Sequence, residues 1–380
     1  MTLKKKGLTI VIIFLLFIVY FLVASRPIPR ETVLNLSWIS SLLGEEGNYG
    51  PAVSSQLIPF TLGSRYGYVD TAGQFALNKF KTDNIYLSSN MWTEYSAEPA
   101  SVVINNIIDN SEITIENARG YPILLDNRIF ILSSEQNALS EIGRNGNILW
   151  TYEFGAPLTA IDVRAGLVLT GSLDGMIEVF NSDGERIFHI DPTGSRFSVI
   201  LGCAISRNGS RIAVISGIDR QRFLLFERLG NTGGEYKIIY HEFLETGFRR
   251  PVRVLFIDDD QRIIFEREGG IGFFNTRSRS SLFIPLDGEI AAIDESGDRG
   301  YLFLVTSHSF QQKNLIGIKF PPNRLFGVSQ AAAQNAVFLR APFKSDDVFL
   351  GRVPSSDNNR SSMLIAGGGT TLISFNMEEK

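Results

Sequence analysis

The sequence predicts an all-β protein: a β-propeller of about seven four-stranded blades, preceded by one N-terminal transmembrane helix. Three observations lead there. Short apolar runs of strand length alternate with Gly and Asp-Gly turns through most of the 380 residues. Groups of four such runs recur about every 40–50 residues, the period of a propeller blade. Ahead of them lies an uncharged run, Gly7 to Ser25, dominated by Ile, Leu, Val and Phe.

The N-terminal run comes first. As helix, nineteen residues at ~1.5 Å each make roughly 28 Å, close to the ~30 Å of bilayer hydrocarbon. Lys4, Lys5 and Lys6 precede it, which sets the N-terminus in the cytoplasm and the body outside. Arg26 and Arg30 on the far side work against that orientation. A cleaved signal peptide is the rival reading, but the run exceeds the usual ~7–15-residue apolar region, and Val23-Ala24-Ser25 is a poor cleavage site with Pro27 behind it. The reading is a retained signal anchor over 1–25, single-pass in the inner membrane, with the body in the periplasm or outside. The single cysteine, Cys203, lies deep in the body, which excludes both a lipid anchor after the run and a disulfide framework. The three N-x-S sequons at Asn35, Asn208 and Asn359 are about what chance supplies.

Residues 26–56 read as a linker. Pro27 and Pro29 disfavour helix, and Gly44, Gly47 and Gly50-Pro51 break the rest. Thr32 to Leu36 is a short strand candidate inside it. Residues 57–380 form the propeller. Its clearest unit is Leu158 to Ile190, four apolar segments separated by Arg-Ala-Gly, Leu-Asp-Gly and Ser-Asp-Gly, turns suited to tight hairpins. Similar units run over 121–154, 202–243, 252–286, 289–328 and 336–377. The first turns of successive units fall near Asn127, Gly166, Gly209, Asp260 and Gly297. Dividing the body by seven gives about 46 residues per blade, within the usual range. The last unit lacks an outer strand after Thr371–Met377, and either Thr32–Leu36 or the run near Leu57 can close the ring.

Charge excludes one class of function. Residues 1–30 hold five basic residues and no acidic ones, leaving 31 Lys and Arg against 40 Asp and Glu in the body. An acidic body is a poor nucleic-acid binder, so no nucleic-acid partner is expected. The densest basic stretch, Arg249, Arg250 and Arg253, is followed by Asp258, Asp259 and Asp260, and both read as solvated loop charge.

Chemistry is sparse. His189, His241 and His308 fall in different blades without metal-ligand spacing, and His189 and His241, at strand ends within apolar runs, read as packed structural histidines. No G-x-S-x-G elbow, P-loop or G-x-G-x-x-G occurs. Asp258–Asp260 lacks the alternating ligands and glycine of a calcium loop. Gly367-Gly368-Gly369 reads as a hairpin, Cys203 as a buried inert thiol, and Asp162, Asp174 and Asp294 as turn-capping carboxylates rather than channel-mouth groups. No catalytic, cofactor-binding or metal residue is assigned. Trp150 reads as a blade-packing residue and Trp38 as part of ring closure; Trp92 has no assigned role.

Ala138-Leu139-Ser140-Glu141-Ile142-Gly143-Arg144-Asn145-Gly146-Asn147-Ile148-Leu149-Trp150 resembles the repeat of quinoprotein (PQQ)-like propellers, in which the Trp packs between blades. Gly175 to Phe188 is similar, with Phe188 in the Trp position. The resemblance holds over about 135–190. WD40-like propellers are the nearest competitor, but no blade ends in Trp-Asp. A weaker echo, Tyr66-Gly67-Tyr68-Val69-Asp70-Thr71-Ala72-Gly73, is similar to a "W-G-Y-I-D-x-x-G" repeat in one copy.

The resemblance implies one of two roles. Quinone-dependent dehydrogenases of this type use a calcium site and often a vicinal disulfide, which one cysteine cannot supply. Non-catalytic members include the propeller lipoprotein of the outer-membrane protein assembly machine. The expectation is therefore a membrane-anchored periplasmic scaffold without cofactor, contacting other envelope proteins through the propeller rim and the membrane through residues 7–25. The alternatives are a channel enzyme (hydrolase, lyase or quinone-dependent dehydrogenase) and an extracytoplasmic ligand sensor.

Overall fold

Asp126 and Asn127 both take left-handed backbone angles, φ 47° and 59°, and join Gly120–Leu125 to Arg128–Ser133 with Leu125 opposite Arg128. Asp and Asn tolerate this region, and a two-residue turn of this hand matches the twist of the strands it joins. Turns of this kind convert the apolar runs into antiparallel meanders. The computed structural model describes residues 13–20, 32–44, 47–48, 56–97, 99–230, 235–245, 247–296, 300–320, 336–353 and 362–379.

The described strands form eight four-stranded antiparallel sheets. Blade 1 runs outward from Ile58–Leu62 through Arg65–Val69 and Phe75–Phe80 to Gly47–Asn48. Blade 2 spans Asn84–Leu87 to Glu112–Glu116, blade 3 Gly120–Leu125 to Ile148–Glu153, and blade 4 Leu158–Arg164 to Arg186–Ile190. Blade 5 spans Ile200–Ile205 to Tyr236–Phe243, blade 6 Val254–Ile257 to Ser280–Pro285, and blade 7 Glu289–Ile293 to Val337–Lys344. Blade 8 has Val348–Val353, Met363–Gly368 and Thr371–Glu379, and its outer strand is Thr32–Ser41.

The count of seven is therefore corrected to eight. Blade 2 was hidden because its outer strands, Ser101–Asn106 and Glu112–Glu116, alternate exposed with buried positions and carry no continuous apolar run. The run starting at Val337 is the outer strand of blade 7 and not part of the last unit, and Asn84–Leu87 opens blade 2. The predicted transmembrane helix is also corrected. The described helix covers residues 13–20, about 12 Å at the usual rise, and among the described residues no helix is long and apolar enough to cross a membrane. An apolar run fixes hydrophobicity, not helix length. Lys4–Lys6, Val23–Ser25, Arg26, Arg30, Gly297 and Asn359 lie outside the described residues.

The N-terminal strands fasten the seam between blades 8 and 1. Thr32–Ser41 pairs along Thr371–Glu379, and Gly47–Asn48 pairs with Leu77 and Asn78. Between them, Leu42 is buried and its N–H donates to Thr370 O at 2.8 Å. Trp38 Nε1 donates to Thr71 O (3.0 Å) and Ser40 Oγ to Gly73 O (2.7 Å), both in blade 1. One segment thus supplies outer strands to two adjacent blades.

Apolar clusters fill the spaces between blades rather than one central core. Phe223 of blade 5 stacks on Phe265 of blade 6 at 4.6 Å. Trp150, on the outer strand of blade 3, stacks on Phe180 of blade 4 at 6.1 Å and donates to Glu141 Oε2 at 2.6 Å. Its ring lies over Gly184, where a β-carbon would come within 2.4 Å of Trp150 Cγ. Gly146 occupies the matching turn of blade 3, where a β-carbon would meet Thr114 O of blade 2 at 2.3 Å. Both glycines also have φ near +80°. Close docking of neighbouring blades is why these turns carry glycine.

Candidate functional site: the channel and one rim face

The first strand of each blade lines a central channel. Two cavities of about 680 and 720 Å³ occupy it, sharing Ser89, Leu125, Asp126 and Glu295 in their walls. The charged groups collect toward the end where each first strand turns into the second.

Asp162 sits near the end of the first strand of blade 4. Its Oδ1 accepts from Val163 N (2.9 Å) and its Oδ2 from Ile205 N of blade 5 (2.6 Å). Burial raises its pKa above the ordinary 3.8, partly opposed by these bonds and by Arg164. Glu295 follows the first strand of blade 7. Its side chain is exposed on the channel side but enclosed by the ring wall, and this enclosure raises its pKa above 4.5, opposed by Arg253 and Arg164 and reinforced by Asp162 and Asp294. Asp126 and Arg164 complete the group, both exposed to the channel. The side chains of Asp126, Arg164 and Glu295 make no hydrogen bond or ion pair among the described residues.

Two further arginines, Arg253 and Arg352, reach the channel, each in an ion pair. Arg253 pairs with Glu266 at 3.0 Å, and Arg250 joins the same buried carboxylate at 3.1 Å. Arg352 pairs with Asp294 at 3.1 Å, with both side chains at most 1% exposed, and also donates to Tyr301 O and Ser362 Oγ. Cys203 is buried on the channel wall, and burial pushes its thiol pKa well up.

The sequence-selected residues divide between these environments. Asp174 caps its own turn, accepting from Ser172 Oγ. Asp162 and Asp294 each reach the first strand of the next blade, so they are ties between blades as well as caps. The repeated Ala-Ile-Asp at 160–162 and 292–294 marked both positions. His189, His241 and His308 are exposed, which corrects the reading of the first two as packed residues: both lie on outermost strands, whose alternate side chains face solvent. Asp258, Asp259 and Asp260 form a left-handed turn in which Asp258 pairs with Arg262 and Asp259 with Arg207. Trp92 is buried, with its ring 5.8 Å from that of Tyr66. Among the described residues no group of three or more His, Cys, Asp or Glu could hold a metal ion.

The face opposite the charged channel end carries a second feature. Leu173, Phe197 and Phe243 are 51%, 54% and 44% exposed, although they are large apolar side chains. Arg196 lies 5.5 Å from the Phe197 ring and Arg220 4.5 Å from that of Phe243. The loops presenting them are pinned. Ser198 Oγ donates to Asp174 O, Ile218 N to Phe197 O, Ser195 Oγ bonds Asp219, and Gln221 Nε2 reaches Phe248 O. No sequence pattern marks this patch, because two separate loops and the end of the outer strand of blade 5 contribute to it.

A ring of eight meanders with an N-terminal seam clasp, a charged channel and a rigid aromatic rim defines a closed β-propeller. The chain belongs to the beta-propeller protein family whose model matches residues 1–368. It is 25% identical over 298 residues to an uncharacterized protein of Treponema pallidum (strain Nichols), covering 76% of this chain and 78% of that protein. Among solved structures, it is similar in fold to BamB from Moraxella catarrhalis (TM-score 0.55, 12% identity, 90% of this chain and 100% of that one). It is equally similar to the computationally designed Ika8 protein (TM-score 0.56, 13% identity, 88% and 98%). At these identities the two structures speak to the fold.

Proposed function

We propose that this propeller is a non-catalytic protein-interaction scaffold of the cell envelope, and that it contacts its partners through the rim face of blades 4 and 5. The observation that carries this reading is the pinned patch of Leu173, Phe197 and Phe243 with its flanking arginines. Aromatic residues and arginine dominate the energetic centres of protein interfaces, and loops fixed before binding lose little entropy on contact. The envelope setting, with the propeller outside the cytoplasm, draws support from the basic residues 4–6, the apolar run after them and the exposed apolar side chains of residues 13–20. The resemblance of residues 135–190 to the quinoprotein-like repeat, whose non-catalytic members include an outer-membrane assembly lipoprotein, favours an assembly role.

Photo-crosslinking tests this in cells. A crosslinker at Phe197 or Phe243 should yield one or a few discrete adducts with envelope proteins. The same group at Lys237, exposed on the outer strand of blade 5, should yield none of them. Equal adduct patterns from all three positions, or none from the rim, would sink the scaffold reading. Protease accessibility of the propeller in intact spheroplasts tests its side of the membrane.

A further inference from the structure

We infer that the rim face of blades 4 and 5, taken as the contact surface proposed above, receives an acidic and apolar peptide: an extended segment of another protein with Asp or Glu close to a large apolar side chain. Arg220 and Arg222 point to the acid. Both guanidiniums lie on the Phe243 ring, at 4.5 and 5.8 Å. Arg222 is buried; it donates to the carbonyls of Pro192 and Thr193, and its Nε has no acceptor among the described residues. Arg220 and Arg196 are exposed, and neither side chain makes a hydrogen bond or ion pair among the described residues. Burial lowers the pKa of Arg222; Asp191 opposes this, and the neighbouring Arg220 adds to it. A carboxylate set beside the ring would be attracted by both cations.

The carboxylates of the same loops are occupied elsewhere. Asp174 accepts from Ser172 Oγ, Asp191 from Thr193 N, and Asp219 from Ser195 Oγ and Arg196 N. None forms an ion pair with Arg196, Arg220 or Arg222 among the described residues. The bond from Ser195 holds the Asp219 carboxyl down at about 2, so at neutral pH the face bears fixed charge of both signs. A uniformly anionic lipid surface would meet Asp174, Asp191 and Asp219, all exposed, together with the arginines. A peptide can set one carboxylate at Arg220 and stay clear of the three aspartates. Its apolar side chain then seats among Leu173, Phe197 and Phe243. A guanidinium stacked on a ring keeps its edge free for two-point bonding to carboxylate.

Dodecapeptides displayed on phage and selected on the full-length chain test the partner's chemistry. The enriched peptides should place Asp or Glu close to Phe, Trp or Leu, and their synthetic forms should bind in fluorescence anisotropy. Arg220→Gln should weaken that binding about tenfold or more, the usual worth of a hydrogen bond to a charged group. Phe243→Ala should weaken it by a similar factor. Changing the peptide's acids to amides should cost the same factor on the parent and nothing further on Arg220→Gln, which isolates the pair. The Arg220 side chain holds no hydrogen bond among the described residues, so this variant should keep the parent's thermal midpoint. Apolar peptides without acids, weakened by Phe243→Ala and not by Arg220→Gln, would overturn the acidic partner and leave the rim as a contact face. No enrichment, or peptides indifferent to both changes, would remove the rim as well. Arg220-dependent sedimentation with phosphatidylglycerol vesicles would assign the cations to lipid and overturn the peptide.

Discussion

At Gly184 a single added carbon would collide with the Trp150 ring of the preceding blade, and the φ of 80° already disfavours any side chain. Overpacking costs about 1–3 kcal/mol and the backbone term about 1 more, so Gly184→Ala should lose roughly 2–4 kcal/mol of stability in urea unfolding. The Asp294–Arg352 pair poses a different residue-level problem. Both groups are fully buried, so Arg352→Met leaves an uncompensated carboxylate and should cost about 3–5 kcal/mol. The double change Asp294→Leu with Arg352→Met should recover much of that loss. Glu295 adds a pH dependence of opposite sign to an ordinary ion-paired carboxylate. Its folded pKa is raised, so the native state holds the proton more tightly than the unfolded chain, and stability falls as pH rises above about 4.5 toward the folded value. Glu295→Gln should abolish that fall: the variant and the parent should match near pH 4, and the variant should be the more stable at pH 7. Legibility at this scale followed the range of the interaction. Trp150 and Asp162 were visible because each stands in a recognisable local pattern. Glu295, Arg164 and Asp126 were not, because they come from three blades and share a site only once the ring has closed.

Strands were legible where both their turns and their apolar faces were strong. Blade 4 reads directly from Leu158 to Ile190 because every turn holds a glycine and its second and third strands are buried on both faces. Blade 2 escaped notice for the opposite reason. Its second and third strands pair over only two residues, Met91 with Asn106 and Trp92 with Asn105, and its outer strand exposes three of five side chains. A strand half open to water carries half the hydrophobic signal. Thr32–Leu36 was one of the two candidates to close the ring and does so, whereas its extension to Ser41 and the strand Gly47–Asn48 were not legible, because their partners are remote in sequence: Ser41 pairs with Thr371 and Asn48 with Leu77. The hold of this clasp is measurable at Trp38, whose indole covers Gly73 and donates to Thr71 O. Burying a large aromatic is worth about 3–5 kcal/mol when complete, and Trp38 is half-buried, so Trp38→Ala should cost about 2–3 kcal/mol. The loss should appear locally in hydrogen exchange, with the amides of 32–41 and 371–379 exchanging faster while those of blade 4 keep their protection.

A propeller without its clasp is an open arc, and the molecule as a whole depends on closing it. Each blade buries one face against each neighbour, so ring closure converts two exposed end blades into two more buried interfaces. Here the closing pair is Thr32–Ser41 with Thr371–Glu379, reinforced in blade 1 by Gly47–Asn48. Removing residues 371–380 deletes the partner strand, leaves blade 8 with two strands, and exposes Leu34 and Leu364 in the cluster between blades 7 and 8. Removing residues 1–31 leaves every ring contact named above in place. The two deletions should therefore diverge sharply although each touches only a terminus. The C-terminal deletion should lose the single cooperative thermal transition and associate through its freed edge strands, visible as a concentration-dependent rise in mass by light scattering. The N-terminal deletion should keep the parent's midpoint to within a few degrees and remain at one mass. If the C-terminal deletion unfolded with the parent's midpoint and cooperativity, closure would contribute nothing, and the eight blades would have to be stable as an open array of neighbours.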